Sequence, residues 1–153
     1  MTSVEGFVGD KLYLDTNVLI HFVEGHPAYG ASLNALFTAI QEQAITALTS
    51  ELTLAEVLVK PLVKPLVEGK SEIVAVYETL LSGTGPIRVM PVDRTVLLQS
   101  ARIRARHGGR AFDAIHVATA ALCECDFFLS ADARIRIPDE LRLVSLSELT
   151  IDP

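Results

Sequence analysis

The sequence has almost no cysteine, no apolar run long enough to cross a bilayer and no surplus of positive charge. Each shortage closes a class of function. Cysteine occurs twice in 153 residues, as Cys123 and Cys125. Two residues apart on a helix, these side chains point in different directions, so they read as small core residues and not as a disulfide framework. The most apolar stretch, Ala111 to Leu129, is broken by Asp113, His116, Glu124 and Asp126, whereas a spanning helix needs about 20 mostly apolar residues. Met1 to Asp10 carries neither the basic segment nor the apolar core of a secretory signal. A cytoplasmic location is the expectation that follows. Histidine and cysteine also lack the spacing of a zinc site: His21 and His26 are five apart, and His107 and His116 stand alone. Basic residues are outnumbered 13 to 19, for a net charge of −6. Taken alone this argues against a nucleic-acid partner, because phosphate binding rests on Lys and Arg. A cluster of acids holding a metal skews the total in the same way, so where the bases gather matters more than their number.

What is present fits one soluble domain over residues 1–153. Half of the residues are hydrophobic and mean hydropathy is +0.38, which suits a sheet buried on both faces and leaves room for an oligomer interface. Leu12 to Leu14 reads as a buried strand that ends on Asp15 and turns at once into a helix carrying Val18, Leu19, Phe22 and Val23. Gly25-His26-Pro27 ends it. Tyr29 to Ile40 is an amphipathic helix, Ala44 to Leu48 a second strand, and Leu52 to Val59 a helix capped by Thr49-Ser50 and carrying Glu56. A tandem Val-Lys-Pro-Leu follows, with Pro61 and Pro65 set to start and then kink a helix that Gly69 closes. Ile73 to Leu81 is a helix, Ile87 to Val92 a third strand, and Asp93 caps a helix with Val96, Leu97 and Ala101 on its inner side. That helix ends on Arg102, Arg104, Arg106 and His107, with Arg110 beyond; Arg102 and Arg106 share a face. Phe112 to Cys123 is a helix with Asp113 in its first turn. Phe127 to Ser130 is a fourth strand and Leu141 to Leu146 an edge strand. Strands alternating with helices predict an α/β fold: a three-layer α/β/α sandwich with a mostly parallel sheet of four to five strands.

Four acids stand out by position. Asp15 and Asp132 each follow a strand, Asp113 opens a helix, and Glu56 lies one and a half turns into another. In a parallel sheet the C-terminal strand ends share one edge, which is where ligands bind. Each acid also has a plain structural reading. Asp15-Thr16-Asn17 fits an Asx turn and Asp132 an ordinary turn, Asp113 favours the helix dipole, and Thr53 to Glu56 matches a capping box. All four falling at one edge is the less ordinary outcome. Clustered carboxylates repel, and a divalent cation removes that conflict. Oxygen ligands suit Mg²⁺ or Mn²⁺, and carboxylate-held metal with open water positions hydrolyses phosphate esters. His116 reads as a helix-packing histidine.

The motifs Leu14-Asp15-Thr16-Asn17-Val18-Leu19, Leu52-Thr53-Leu54-Ala55-Glu56-Val57, Phe112 to Ala120 and Phe128-Leu129-Ser130-Ala131-Asp132 resemble, in order and spacing, the four acidic motifs of the PIN-domain nucleases, VapC-type toxins in particular. The similarity runs from Lys11 to Leu149. It implies a Mg²⁺-dependent endoribonuclease, a homodimer inhibited by a small antitoxin. By that resemblance Asp15 and Asp113 are the metal ligands, and Glu56 completes the site or positions the attacking water. Asp132 supports it, and Thr16, Asn17 and Ser130 orient the acids; Ser130 stands where many relatives carry Thr. Arg102, Arg104, Arg106 and Arg110 lead into Asp113 and are positioned to grip an RNA backbone; a solvated helix end is the alternative. An antitoxin is expected near the acidic pocket or against the helices containing Pro61 and Pro65. The ten residues before the first strand are assigned no role. Two other functions stay open. In one, Asp15 forms an aspartyl phosphate, against which Asn17 counts, since phosphatases of that kind carry a second Asp there. The other is a catalytically silent RNA- or protein-binding module.

Overall fold

Alternating strand and helix signals become a parallel sheet. The computed structural model describes residues 1–63 and 70–152. In chain order its elements are β1 (Thr2–Ser3), β2 (Lys11–Leu14), α1 (Thr16–Glu24), α2 (Gly30–Gln41), β3 (Thr46–Ser50), α3 (Glu51–Val57), α4 (Val59–Val63), α5 (Lys70–Leu80), β4 (Ile87–Met90), α6 (Arg94–His107), α7 (Ala111–Leu122), β5 (Phe127–Ser130), β6 (Arg142–Ser145) and β7 (Leu149–Thr150). The main sheet has the order β4-β3-β2-β5-β6 and every neighbouring pair is parallel. Leu12 of β2 pairs with Ala47 on one side and Phe127 on the other.

Alternation along β2 splits the core into two. Leu12 and Leu14 face a cluster with Val18, Leu19, Leu33, Leu36, Val57 and Tyr77, which places α1, α2, α3 and α5 on that side. Tyr13 faces the other cluster, with Val96, Ile103, Val117 and Phe128, which places α6 and α7 there. The result is the expected three-layer α/β/α sandwich, with all five strands of the main sheet parallel. Leu12, Tyr13 and Leu14 are fully buried, so truncating Leu14 to Ala costs about 2–5 kcal/mol. Among the described residues no helix is long and apolar enough to cross a membrane.

Several local expectations change. The second strand runs to Ser50, because Thr49 and Ser50 are buried and hydroxyl-bonded; the Thr49 hydroxyl donates to the Leu14 carbonyl at 2.8 Å. The third strand stops at Met90, before Pro91, which has no N–H to give the ladder. On α6 the inner residues are Val96, Ser100 and Ile103, while Leu97 is 48% exposed and Ala101 is also exposed. Ser100 is tolerated inside because its hydroxyl donates to the Leu97 carbonyl at 2.7 Å. The kink expected at Pro65 and the stop at Gly69 lie outside the described residues. Met1 to Asp10, assigned no role from sequence, ties the two chain ends together. Thr2 and Ser3 pair with Leu149 and Thr150, and Phe7 meets Phe127 edge-on at 5.0 Å.

Candidate active site

The chain leaves β2 toward one face of the sheet, through α1, and leaves the adjacent β5 toward the other, where Ile135 and Leu141 join the second core. Adjacent strands that exit to opposite faces open a crevice beyond their C-terminal ends. Asp15 stands there. It caps α1 in an extended conformation, its Oδ1 accepting the Thr16 N–H at 2.9 Å. Its Oδ2 accepts from the Ser130 hydroxyl at 2.7 Å and from Asn17 Nδ2 at 3.2 Å. Asn17 also accepts the Ala131 N–H at 2.9 Å, and Ser130 accepts the Asp132 N–H at 3.0 Å. Thr16, Asn17 and Ser130 therefore stitch the ends of β2 and β5 together through the carboxylate. Asp15 is only 5% exposed and has no salt bridge among the described residues. Burial raises its pKa; the charge of His116 and the bonds from Ser130 and Thr16 oppose the rise, and the charge of Asp113 adds to it.

Glu56 reaches the same place from α3. The capping-box reading of Thr53 to Glu56 is corrected: Ser50 is the cap, accepting the Leu52 N–H at 3.1 Å, and Thr53 bonds to Thr49 at 2.8 Å. Glu56 is thus left for other partners. Its Oε1 accepts from the Thr16 hydroxyl at 2.8 Å and contacts His116 Nε2 at 2.5 Å. Burial pushes Glu56 up, but the hydrogen bond and charge of His116 and the Thr16 hydroxyl outweigh it, so its carboxyl lies below the usual carboxylate range.

Asp113 opens α7 and is turned toward a cation. Arg110 holds it at 2.9 Å and reaches Asp132 at 3.6 Å. Arg134 holds Asp132 at 2.9 Å, and that pairing, with a smaller contribution from Arg110, keeps the Asp132 carboxyl below its ordinary range. Asp15, Glu56 and Asp113 line one cavity of about 520 Å³, together with Thr16, Asn17 and Phe112. Asp113 also lines an adjoining cavity of about 280 Å³ with Asp132, Arg134 and Arg136. The four acids thus fall at one edge but not around one point, and Asp132 sits in the second cavity. Arg102 and Arg106 line a third cleft with Gln99, His107 and Glu140. Arg110, expected to face RNA, is spent on the two acids in this conformation.

The donors fit a hard divalent cation in kind: three carboxylates meet one cavity, and the buried one, Asp15, has no cationic partner. They are not closed around an ion as placed. Among the described residues no three His, Cys, Asp or Glu side chains converge closely enough to hold a metal, with Asp113 drawn to Arg110 and Glu56 to His116.

Two contributors, His116 and Tyr13, were not read from the sequence. His116 is 1% exposed, as a packing histidine is, yet both of its nitrogens have polar partners: Nδ1 lies 2.7 Å from the Tyr13 hydroxyl, and Nε2 meets Glu56 and Thr16. The available signal was its spacing, three residues after Asp113 and so on the same face of α7.

The PIN domain family profile matches residues 12–141. No curated protein matches the chain. Among solved structures, VapBC from Salmonella typhimurium, solved bound to DNA, is similar at TM-score 0.68 and 20% identity, over 89% of this chain and 98% of that one. FitAcB from Neisseria gonorrhoeae is similar at TM-score 0.66 and 21% identity, over 90% and 99%. A toxin–antitoxin complex from Klebsiella pneumoniae gives 0.60 at 19%, over 81% and 88%. At these identities the likeness concerns the fold.

Proposed function

Because the chain belongs to the PIN domain family, whose members are generally nucleases, we propose that it is a Mg²⁺-dependent endoribonuclease, the VapC-type toxin of a toxin–antitoxin pair. The observation that carries this reading is the shared cavity of Asp15, Glu56 and Asp113 at the sheet edge. Mn²⁺ is the expected substitute metal. When bound, the divalent ion supplies a Lewis acid for the phosphoryl oxygen and acidifies water.

The chain's own groups do the rest. Asp15 and Asp113 are the residues that would hold the ion, and Asp113 would have to leave Arg110 to do so. Glu56, with Oε1 fixed by Thr16 and His116, presents Oε2 to the cavity, orients the attacking water and accepts its proton. Asp132 supports the site through water. Thr16, Asn17 and Ser130 keep Asp15 turned inward. Asn17 is committed at both ends of its amide and supplies no acid, which disfavours aspartyl-phosphate chemistry. Phe112, 55% exposed at the cavity rim, offers a ring on which an unpaired base can stack. Arg102 and Arg106, together with Arg110 once it is released from Asp113, neutralise backbone phosphates.

Toxin–antitoxin complexes among the structural neighbours favour a small antitoxin as partner. The apolar surface available to it includes Val59 and Leu62 of α4, both more than half exposed, and a cleft of Phe22, Val76, Leu80 and Pro86. Pro61 is itself buried, and Pro65 lies outside the described residues. A homodimer in the cytoplasm completes the proposal.

The test is cleavage of single-stranded RNA by the purified protein. Activity is expected to vanish on chelation, to return with Mg²⁺ or Mn²⁺, and to be absent in Asp15→Asn and Asp113→Asn with the fold intact by circular dichroism. Cleavage that persists without metal or in Asp15→Asn overturns the assignment, and a preference for DNA overturns the choice of substrate.

A further inference from the structure

A buried imidazole whose two nitrogens are both engaged by side chains from other elements is more than filler. His116 spans the site from behind. It hangs from α7, receives Tyr13 of β2 at Nδ1, and meets Glu56 of α3 and Thr16 of α1 at Nε2. Four elements are joined at one ring, and the ring touches the one proposed functional acid whose own element, α3, is only seven residues long.

The direction of the bonds to Glu56 follows from the partners. The Tyr13 hydroxyl is fully buried and lies 2.7 Å from Nδ1, where it holds the ring in place. Glu56 Oε1, a carboxylate oxygen 2.5 Å from Nε2, can only accept, so Nε2 carries a proton and points it at Glu56. Thr16 has one hydroxyl proton and gives it to the same Oε1. Oε1 thus receives two donors, and among the described residues no hydrogen bond engages Oε2. Thr16 closes the circuit, because its backbone N–H holds Asp15.

We infer that His116 is a positioning residue. It fixes the rotation of the Glu56 carboxylate, so that one oxygen is anchored in the protein and the other faces the reaction cavity, and Tyr13 holds the ring in the orientation that makes this possible. The inference deepens the nuclease reading and rests on it. Partners that orient a reactive carboxylate commonly carry about tenfold to a hundredfold of activity.

The experiment compares His116→Phe, His116→Gln and Tyr13→Phe with the parent, measuring kcat and KM on single-stranded RNA, Mn²⁺ affinity by calorimetry, and Tm. Gln carries a donor nitrogen near the place of Nε2 but fills the apolar site poorly; Phe fills the site and donates nothing. The expected result is a kcat loss of about tenfold to a hundredfold in His116→Phe with KM and Mn²⁺ affinity within about twofold. His116→Gln is expected to recover part of kcat although it is no more stable than His116→Phe, and Tyr13→Phe to lie between Gln and the parent. A purely structural histidine gives the opposite ranking, with kcat following Tm and Phe at least as active as Gln; that ranking overturns the inference while leaving the nuclease reading intact. If His116→Phe does not fold, the Gln and Tyr13→Phe variants decide it, since full kcat in both also overturns it. If the parent cleaves no RNA in Mg²⁺ or Mn²⁺, the function fails first and this inference falls with it.

Discussion

The four acids divide into two pairs of different physics. Asp15, almost fully buried, and Glu56 form an inner pair by their partners: hydroxyls, an amide, a backbone N–H and an imidazole. Asp113 and Asp132 are no more exposed than Glu56, but they form an outer pair because solvent-exposed guanidinium groups hold them, Arg110 at 75% and Arg134 at 89% side-chain exposure. The inner pair is built by folding, since its donors arrive with the strands and helices that the core demands. The outer pair is neutralised by side chains that are free to leave. A site that must be rigid toward its chemistry and still admit a highly charged polymer has reason to divide its acids in this way.

The largest expected effect lies in the inner pair. Asp15→Asn should cost on the order of a hundredfold or more in kcat/KM and yet raise stability without metal. The sign follows from the raised pKa of Asp15. Below the carboxylate range both folded and unfolded chains hold the proton and the group is neutral to stability. As pH rises, the unfolded chain loses its proton first, so the folded state loses ground until its own Asp15 ionises. Asn avoids that loss, and the gain in Tm is therefore expected near neutral pH and not below about pH 3. About 1 kcal/mol corresponds to roughly 2–4 °C in a domain of this size. Glu56 has the opposite sign: its lowered pKa adds stability above the carboxylate range that is lost as pH falls through its folded value. Thermal scans across pH, with and without Mg²⁺, check both; an Asp15→Asn protein that melts lower at neutral pH erases the contrast between the pairs.

Within the inner pair, Asp15 was the legible member. Asp15 could be placed because Leu12-Tyr13-Leu14 has no charged residue and the next residues begin a helix. Strand, cap and helix agree there, and the structure keeps the boundaries within a residue. The parallel, three-layer α/β/α character followed from the same alternation, while the strand order came only with the structure. What could not be read is whatever depends on partners far apart in sequence. Glu56 fits a capping box by spacing, and only the fold reveals that Ser50 caps the helix and that Thr16, forty residues away, takes the carboxylate. The polar partners of His116 lie 60 to 103 residues away. The inner face of α6 differs from its sequence pattern because the helix is polar on average and one buried hydroxyl, Ser100, interrupts the apolar stripe.

Outward from the acids, the basic end of α6 is the next test. Arg102 and Arg106 sit beside a third cleft and have no salt bridge among the described residues. Replacing both with Ala should weaken single-stranded RNA binding several-fold and lower the salt slope by about 0.7 for each phosphate that is no longer neutralised, with metal affinity unchanged. An unchanged slope in filter-binding titrations returns these residues to a solvated helix end.

Arg110 should behave in the contrary way. In the proposed mechanism it competes with a metal for Asp113, so Arg110→Ala is expected to raise Mn²⁺ affinity about threefold, a modest effect because the pair is exposed and water screens it. The same change removes a cation from the substrate path and should weaken RNA binding. Calorimetry and RNA titration of one variant thus move in opposite directions, and added salt should narrow the Mn²⁺ difference by weakening the ion pair in the parent.

Arg134 gives the smallest effect and the sharpest control. It pairs with Asp132 through Nε at 2.9 Å, and its backbone N–H donates to the same carboxylate at 3.0 Å. It makes no hydrogen bond or ion pair to Asp113. Removing its side chain leaves Asp132 with the backbone donor and with Arg110, so Mn²⁺ affinity and Tm should change by less than about twofold and about 1 °C respectively, as for most surface ion pairs. The Asp132 pKa should rise toward its ordinary value, because the Arg134 side-chain bond is the leading cause of its depression; the Asp132 carboxyl resonance followed through an acid titration reads this directly. A large loss of metal affinity in Arg134→Ala requires Asp132 to be held as rigidly as Asp15, and the division between a folded-in pair and a releasable pair then no longer describes the site.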